Sequence, residues 1–393
     1  MTKFTKNNYD DKKTYIIMSF DLKNRKSEFS RITVKIGSNV LTQDDGTLNN
    51  WRISRIVEDV AILFRNGIEV IIVTSGAVAA GRGELIPSKK TNEIAAKQVL
   101  AAIGQVKLMA IYQYLFGKYG IKVGQVLATK ESFSDRRHYL NMKNCISAML
   151  ENHVIPVVNE NDTISINELM FTDNDELSGM ISSMMDCKSL IILSNVDGIF
   201  KGVPGQPGSE LIKEVLPNSD DVAKYISGDR SETGRGGMIT KYLNARKIAS
   251  EGISVFIANG LRDSILTDII RGKDVPCTKF VPAEKHKKSI KKWIAHSETF
   301  TRGEIIINSG ARDALLGNKA SSLLLIGVTG ISGLFKKGDI VKILSEDGEV
   351  IGLGKSEYDS EKAKMFIGQK CNKPLIHYNY LVINQKEGAE SAV

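Results

Sequence analysis

The 393-residue chain is poor in the side chains that build metal centres and disulfide frameworks. Its four cysteines, Cys145, Cys187, Cys277 and Cys371, are scattered without a C-x-x-C pair, which argues against disulfides and against a zinc site. No two of the five histidines are closer than ten residues, so the H-E-x-x-H motif is absent. We therefore predict no protein-held metal. Cys145 and Cys187 lie within helical apolar patterns and are predicted to be small core residues.

Long hydrophobic runs are also missing. Nothing approaches 18 uninterrupted apolar residues, so no membrane span is expected. The N-terminal stretch MTKFTKNNYDDKKTYIIMSF has an apolar patch only about five residues long, too short for the core of a signal peptide. Together these features predict a cytoplasmic protein.

The net charge of +8 is moderate, and much of it lies in the lysine-rich segment KFVPAEKHKKSIKKW, residues 279–293. Such a run could meet nucleic acid or an anionic substrate, although a solvated linker helix is the commoner explanation. Both interpretations stay open at this point.

Short apolar strands alternate with helical patterns from Arg31 to about residue 260, which predicts an α/β fold with a mainly parallel sheet sandwiched between helices. IEVIIVTSG, for example, is continuously apolar, as a strand covered on both faces requires. After Pro276 the pattern changes to short β-rich runs punctuated by glycine. We expect an N-terminal extension (1–30), an α/β domain (31–275), a basic linker (276–295), a small β-rich domain (296–386) and a tail (387–393).

Polar clusters follow the predicted strands, where ligands bind in open parallel sheets. Lys35–Ser38 follow the first strand, Thr74–Ala77 follow the second, Asn159–Asp162 follow VIPVV, and Ser194–Asn195 follow SLIIL. Because the carboxyl ends of parallel strands share one sheet edge, the clusters predict a common site.

Glycine-rich turns before helical runs predict phosphate binding by a scheme other than the Walker A loop. GSNVL, SGAVAAGRG and TGRGGMITK each aim backbone amides and a helix N-terminus at a ligand position. The nearest approach to a Walker A motif, GEVIGLGKS at 348–356, is out of register by one residue.

The cluster FTDNDELSG, residues 171–179, places Asp173 and Asp175 at the start of a predicted helix. Asp173 with Glu176 would form a capping box, which requires no function. That explanation does not cover Asn174 and Asp175, so a ligand site is predicted here as well.

Six blocks occur in the order and spacing of the amino acid kinase superfamily: VKIGSNVLT, VTSGAVAAGR, PVVNEND, TDNDELSG, LSNVDGIF and GGMITK. The resemblance runs from Arg31 to Asp274 and continues into a C-terminal domain similar to the PUA (pseudouridine synthase and archaeosine transglycosylase) type. It implies ATP-dependent phosphorylation of the γ-carboxylate of L-glutamate, the first step of proline biosynthesis, with Mg²⁺ entering on the nucleotide phosphates. It also implies feedback inhibition by proline and a homo-oligomer.

The resemblance assigns roles residue by residue. Lys35 and Lys241 match the lysines that neutralise the transferring phosphoryl group, and Asp175 matches the carboxylate that holds them. Two ammoniums about 4 Å apart repel by roughly 4 kcal/mol at an effective dielectric near 20, so a carboxylate between them is expected. Substrate-binding positions are matched by Ser75, Asp162 and Asn174. Nucleotide-binding positions are matched by Lys35, Ser194, Asn195, Arg235, Gly236, Gly237, Met238, Ile239, Thr240 and Lys241.

Two alternatives remain from the residues alone. The first is a kinase for another small acid, such as aspartate or N-acetylglutamate; Asp162 favours glutamate because it suits a free amine. The second is an RNA-binding protein that uses the C-terminal domain and the lysines of 279–292, although that domain offers few aromatics for stacking bases.

Overall fold

The computed structural model describes most of the chain. The ranges described are 25–164, 174–217, 237–284, 301–317, 321–371 and 373–383, with the single residues 219, 222, 224, 291, 293 and 294. Among the sequence predictions, those for Asp173, Arg235, Gly236, most of the N-terminal extension, much of the basic linker and the tail lie outside the described residues.

Fifteen strands occur in the described ranges. They are β1 (Arg31–Ile36), β2 (Glu69–Val73), β3 (Lys122–Ala128), β4 (Val154–Glu160), β5 (Ser189–Ser194), β6 (Phe200–Lys201), β7 (Glu210–Leu211), β8 (Glu214–Val215), β9 (Ser254–Asn259), β10 (Cys277–Phe280), β11 (Gly303–Ile307), β12 (Val328–Gly333), β13 (Ile340–Ser345), β14 (Val350–Lys355) and β15 (Leu381–Ile383).

The described α-helices number twelve. They are α1 (Lys26–Phe29), α2 (Ser38–Leu41), α3 (Asn50–Arg65), α4 (Ala77–Arg82), α5 (Glu93–Gly117), α6 (Glu131–Ser134), α7 (Arg136–Glu151), α8 (Asn174–Met184), α9 (Met238–Ala249), α10 (Ile265–Arg271), α11 (Ser309–Leu316) and α12 (Ser360–Met365). Side-chain caps begin several of them: Asn49 accepts from Arg52 N, and Asn92 accepts from Ala95 N.

Eight strands form the larger sheet in the order β3-β4-β2-β1-β5-β9-β10-β8, and all neighbouring pairs are parallel except β9–β10. Successive residues of β5 point to opposite faces. Ile191 and Leu193 enter a core shared with α3, α5 and α10, whereas Leu190 and Ile192 enter one shared with α9. The larger sheet is thus mainly parallel and buried between two helical layers, as predicted.

A second, smaller sheet has the order β12-β11-β13-β14-β15 and its own apolar core, which confirms the prediction of a separate β-rich domain. The two units meet at Trp293. Its indole Nε1 donates a hydrogen bond to the carbonyl of Phe133 at 2.8 Å. The buried cluster around it contains Met184 of α8 together with Ile340 and Leu353 of the smaller sheet, so one continuous core joins the two sheets.

Of the two cysteines predicted to be in the core, Cys187 is buried, with its sulfur 3.3 Å from Thr33 Oγ1. The prediction for Cys145 is wrong, because this residue is exposed on α7. Ile146 is the buried residue of that turn. Successive helical residues point about 100° apart, so Cys145, the residue before Ile146, points toward solvent.

Helix α5 is, within the described part of the chain, the one helix whose length and composition would allow it to cross a membrane, although little of it is buried. Helices of folded domains pass the same test. Its contact with α4 is very close: a Cβ at Gly104 would overlap the carbonyl of Ala77, and a Cβ at Gly81 would overlap that of Leu100. Because α5 also places Tyr112 in the core, we interpret it as a helix of the folded domain.

Asp59 is a buried carboxyl on α3 that holds the start of α10. It is 5% exposed and accepts a hydrogen bond from Leu266 N at 3.2 Å. Burial raises the pKa of Asp59 to about 7, because the hydrogen bond from Leu266 only partly offsets the lost hydration.

The raised pKa of Asp59 predicts a pH-dependent stability. The contribution of a carboxyl whose pKa is higher in the folded chain is complete below its ordinary value and is lost as pH rises through 7. We expect the free energy of unfolding to fall by about 1 kcal/mol between pH 6 and pH 8 on account of this group. In Asp59→Asn this fall in the free energy of unfolding should disappear. In Asp44→Asn, which replaces an exposed carboxyl, the fall should equal that of the unaltered chain. Urea denaturation at both pH values measures this, and equal pH dependence in all three proteins would contradict it.

Candidate active site

The predicted polar clusters converge at one edge of the larger sheet. Lys35 lies near the end of β1, Ser75 follows β2, Asn159 is near the end of β4, and Ser194 ends β5. These strands are neighbours in the order β4-β2-β1-β5 and run parallel, so their carboxyl ends meet.

The centre of this edge is a buried ion cluster. Asp175, fully buried in the first turn of α8, forms an ion pair with Lys35 through Oδ1 and accepts a hydrogen bond from Lys241 Nζ at 2.6 Å through Oδ2. Burial alone would raise the pKa of Asp175, but the two ammonium groups outweigh it and hold the pKa well below its ordinary value. With two ammoniums against one ionised carboxylate, the cluster is net positive and suits an anionic ligand.

Packing between α8 and α9 fixes the distance between the charges at their N-terminal ends. Gly179 has no side chain, and a Cβ there would approach Ile248 Cγ1 to 2.9 Å, so the helix surfaces lie close together. Near the other end of both helices, Ser183 Oγ donates to Glu251 Oε2 at 2.5 Å, and both residues are buried. The helices therefore run side by side in the same direction, with Asp175 and Lys241 as their first contact.

Beside the ion cluster lies a network of amide side chains. Asn174 Nδ2 donates to Thr74 O at 2.8 Å, to Ser75 Oγ at 3.0 Å and to Asn159 Oδ1 at 3.2 Å. Asn159 Nδ2 in turn donates to Gln105 Oε1 on α5 at 2.9 Å. The structure thus brings two of the predicted substrate-binding residues, Ser75 and Asn174, into direct contact.

Asp162, the third predicted substrate-binding residue, lies in the turn after β4 at the same edge. Its side chain is 16% exposed, and Oδ1 is 3.8 Å from Lys97 Nζ on α5. A carboxylate in this position can attract the ammonium group of an amino acid.

The predicted nucleotide positions lie at the ends of β5 and at the start of α9. Ser194 is buried at the end of β5, and Asn195 beside it is exposed. Gly237 precedes α9 in an extended conformation, and the first turn of α9 contains the other described positions, Met238, Ile239, Thr240 and Lys241. Backbone amides at the start of a helix are a general anion-binding element.

An ion pair stabilises the loop that follows Ser194. Asp197 accepts hydrogen bonds from Arg262 Nε and Nη2, both at 2.8 Å, and from Asn259 Nδ2 at 3.0 Å. The guanidinium hydrogen bonds, only partly opposed by burial, lower the pKa of Asp197. The loops after β5 and β9 are thereby held together beside the predicted nucleotide positions.

Metal ligands are not grouped in the described ranges. No set of three or more histidine, cysteine, aspartate or glutamate side chains there could hold a metal ion. The one carboxylate at the centre, Asp175, is engaged by two lysines.

Comparison with known proteins agrees with this architecture. Residues 30–259 match the model of the Amino acid kinase family, and residues 303–378 match that of the PUA domain. The chain belongs to the amino acid kinase family, and the predicted fold class is confirmed.

Within that family the chain is similar to proteins named glutamate 5-kinase. It is 54% identical to the one from Bacteroides thetaiotaomicron over 91% of this chain and 99% of the relative. Identity is 47% to that of Chlorobaculum tepidum, over 90% of this chain and 98% of the relative, and 37% to that of Pelobacter propionicus, over 90% and 95%. The chain therefore belongs to the glutamate 5-kinases, as the six sequence blocks predicted.

Sequence patterns did not identify three polar residues that support the site. Gln105 and Lys97 lie within α5, where they look like ordinary polar positions of a long helix, and Glu251 follows α9. Each makes its contact with a residue more than fifty positions away, so spacing along the chain gives no signal.

Proposed function

We propose that this chain transfers the γ-phosphoryl group of ATP to the γ-carboxylate of L-glutamate, giving L-glutamyl 5-phosphate and ADP, the first step of proline biosynthesis. Membership of the glutamate 5-kinases supports the reaction. The structural observation that carries the mechanism is the buried cluster of Lys35, Asp175 and Lys241 at the ligand-binding edge of the sheet.

The reaction requires positioning and charge neutralisation more than proton transfer. The γ-carboxylate, with an ordinary pKa of about 4.3, is already ionised at neutral pH, so no general base is needed. One of its oxygens attacks the γ-phosphorus in line as the bond to the bridging oxygen of ADP breaks. Lys35 and Lys241 stabilise the charge on the phosphoryl oxygens, and Asp175 holds the lysines in place. Mg²⁺ held by the nucleotide phosphates would add positive charge there.

The amino acid is assigned to the same edge, where Asn174 precedes Asp175 in α8 and contacts Ser75, and where Asp162 lies in the turn after β4. Asp162 supplies an anionic partner for the free ammonium of glutamate. An N-acetylated acid has no charge to pair there, and aspartate is shorter by one methylene. An assay of ADP release with glutamate, aspartate and N-acetylglutamate separates these substrates, and turnover of N-acetylglutamate without glutamate would refute the assignment.

For the nucleotide we propose contacts at Ser194, Asn195 and the stretch from Arg235 through Gly236 to Lys241. The support is the place of Ser194 and Asn195 at the end of β5 and that of Gly237 to Lys241 at the start of α9, where Lys241 belongs to the ion cluster. Arg235 and Gly236 lie outside the described residues and are proposed on the resemblance alone. The backbone amides of Met238, Ile239 and Thr240 are suited to the phosphates, because N–H groups at the very start of a helix have no intrahelical acceptor.

Replacing either lysine should impair the chemical step. In Lys35→Met and Lys241→Met we expect kcat to fall by on the order of 10² or more, because a preorganised charge is lost. The matched control is Lys247→Met, an exposed lysine on the same helix as Lys241. Steady-state kinetics with saturating glutamate and ATP measure the effect, and unchanged kcat in both site variants would remove the mechanism.

Asp162→Ala should act on substrate binding. We expect the KM for glutamate to rise about tenfold or more, since the ammonium loses its partner, while kcat changes by less than about threefold. The KM for ATP serves as an internal reference, and exposed Asp347→Ala is the control variant. A fall in kcat at unchanged KM for glutamate would contradict the assignment.

We also propose a homo-oligomer formed through the outer surface of α5 and β3. Val99, Ile103, Val106 and Tyr114 are exposed at helical spacing along α5, and Val106 and Tyr114 are 73% and 67% exposed. β3 is an edge strand of the larger sheet and leaves Leu127 exposed beside it. A contiguous apolar stripe next to an open edge is typical of an association surface.

This surface predicts a specific dissociating variant. Val106→Glu should shift the molar mass from oligomer toward monomer, because it places a charge in the apolar stripe. Light scattering after size-exclusion chromatography measures the mass. Leu334→Glu is the control, because it places the same charge on an exposed leucine of the smaller β-rich domain. If the unaltered chain were monomeric at micromolar concentration, the association itself would be disproved.

Two further partners are proposed on family resemblance. Proline would act as a feedback inhibitor, and RNA would be a secondary partner of the PUA domain. Electrostatic RNA attachment would weaken steeply with salt. RNA retention without kinase turnover would instead favour RNA binding as the main activity.

A further inference from the structure

The direction of each hydrogen bond in the amide network beside Asp175 can be assigned. The carbonyl of Thr74 can only accept a hydrogen bond, so the end of Asn174 that contacts it at 2.8 Å is the donating nitrogen. The backbone N–H of Glu160 can only donate, so the end of Asn159 that contacts it at 2.9 Å is the oxygen. Asn159 therefore presents its nitrogen to Gln105, whose oxygen must face it.

With these hydrogen-bond directions, one donor and one acceptor of the network have no partner among the described residues. Gln105 Nε2 and Asn174 Oδ1 are buried atoms, and neither has a hydrogen-bond partner among the described residues. Gln105 as a whole is 8% exposed. Buried amide groups are nearly always hydrogen-bonded, so an unpaired donor and an unpaired acceptor on one network point to a ligand that has both kinds of group.

The position of Gln105 is fixed by its neighbour. Gly104 packs against the backbone of α4 at Ala77, where any Cβ would overlap the carbonyl oxygen. Ala77 begins α4 two residues after Ser75, so this helix contact places the side chain of Gln105 next to the loop that holds Ser75. Its location is therefore a consequence of packing and does not depend on a ligand.

We propose that Gln105 is a specificity-determining residue that donates a hydrogen bond from Nε2 to the α-carboxylate of the amino-acid substrate, while Asn174 Oδ1 accepts from its α-ammonium. The proposal rests on the glutamate kinase activity proposed above. The γ-carboxylate must lie at the lysines beside Asp175. Gln105 is separated from Asn174 by the side chain of Asn159, so it reaches the opposite end of the substrate.

Two analogues of glutamate separate direct binding from mere support of the network. Glutarate lacks the α-ammonium but keeps both carboxylates, whereas 4-aminobutyrate lacks the α-carboxylate. Gln105→Met has nearly the same shape and removes the donor. We expect it to raise the KM for L-glutamate and the competitive inhibition constant of glutarate about tenfold or more. The inhibition constant of 4-aminobutyrate should change by less than about twofold, and kcat by less than about threefold.

The control is Gln113→Met, an exposed glutamine on the same helix. Equal weakening of all three compounds in Gln105→Met, or no weakening of any, would overturn the proposal. If Gln105→Met does not fold, Gln105→Glu is used at pH 8, because it keeps the oxygen that accepts from Asn159 and loses the amide donor. Selective loss of glutamate and glutarate supports direct binding there, and unchanged constants overturn it. Absence of glutamate turnover in the unaltered chain would refute the proposed function instead.

Discussion

Two ammonium groups held at one point repel each other, and the site depends on the single buried carboxylate that offsets this repulsion. Asp175 forms ion pairs with both Lys35 and Lys241, and its negative charge offsets their mutual repulsion in a place that is nearly closed to water. Removing a carboxylate from water is itself costly, and two ion pairs together with the N-terminal end of α8 offset that cost. The cluster therefore carries a net positive charge before any anion binds.

The cluster keeps its net positive charge at one point only if its three side chains stay at fixed distances. The surrounding packing prevents them from moving apart. Lys35 is fixed by a strand at the centre of the larger sheet, between β2 and β5. Asp175 and Lys241 are fixed by two helices whose contact runs over Gly179 and ends in the buried hydrogen bond from Ser183. In the proposed reaction, these fixed charges would stabilise the transition state without reorganisation of the protein, which is the main source of electrostatic catalysis.

The sequence allowed the fold class and much of the site to be predicted, because both follow from local patterns. Continuous apolar strands indicate a parallel sheet, and the strand-end rule brings Lys35, Ser75 and Ser194 to one edge. Side-chain partners from distant helices could not be predicted, since nothing in the spacing of Gln105 or Glu251 marks them. The error at Cys145 has a related cause. An apolar helical pattern predicts the buried face of a helix only to within about one residue. In α7 the buried position is Ile146, so Cys145 is exposed.

The proposed amino-acid and phosphoryl sites share helix α8. Asn174 belongs to the amide network and Asp175 to the ion cluster, and they are successive residues of one helical turn. A displacement of α8 must therefore change both sites together. The same helix buries Met184 in the core that contains Trp293 and residues of the smaller sheet. Packed side chains thus connect the smaller domain to α8, which carries residues of both parts of the proposed site, so a change at their junction should alter substrate affinity and turnover together.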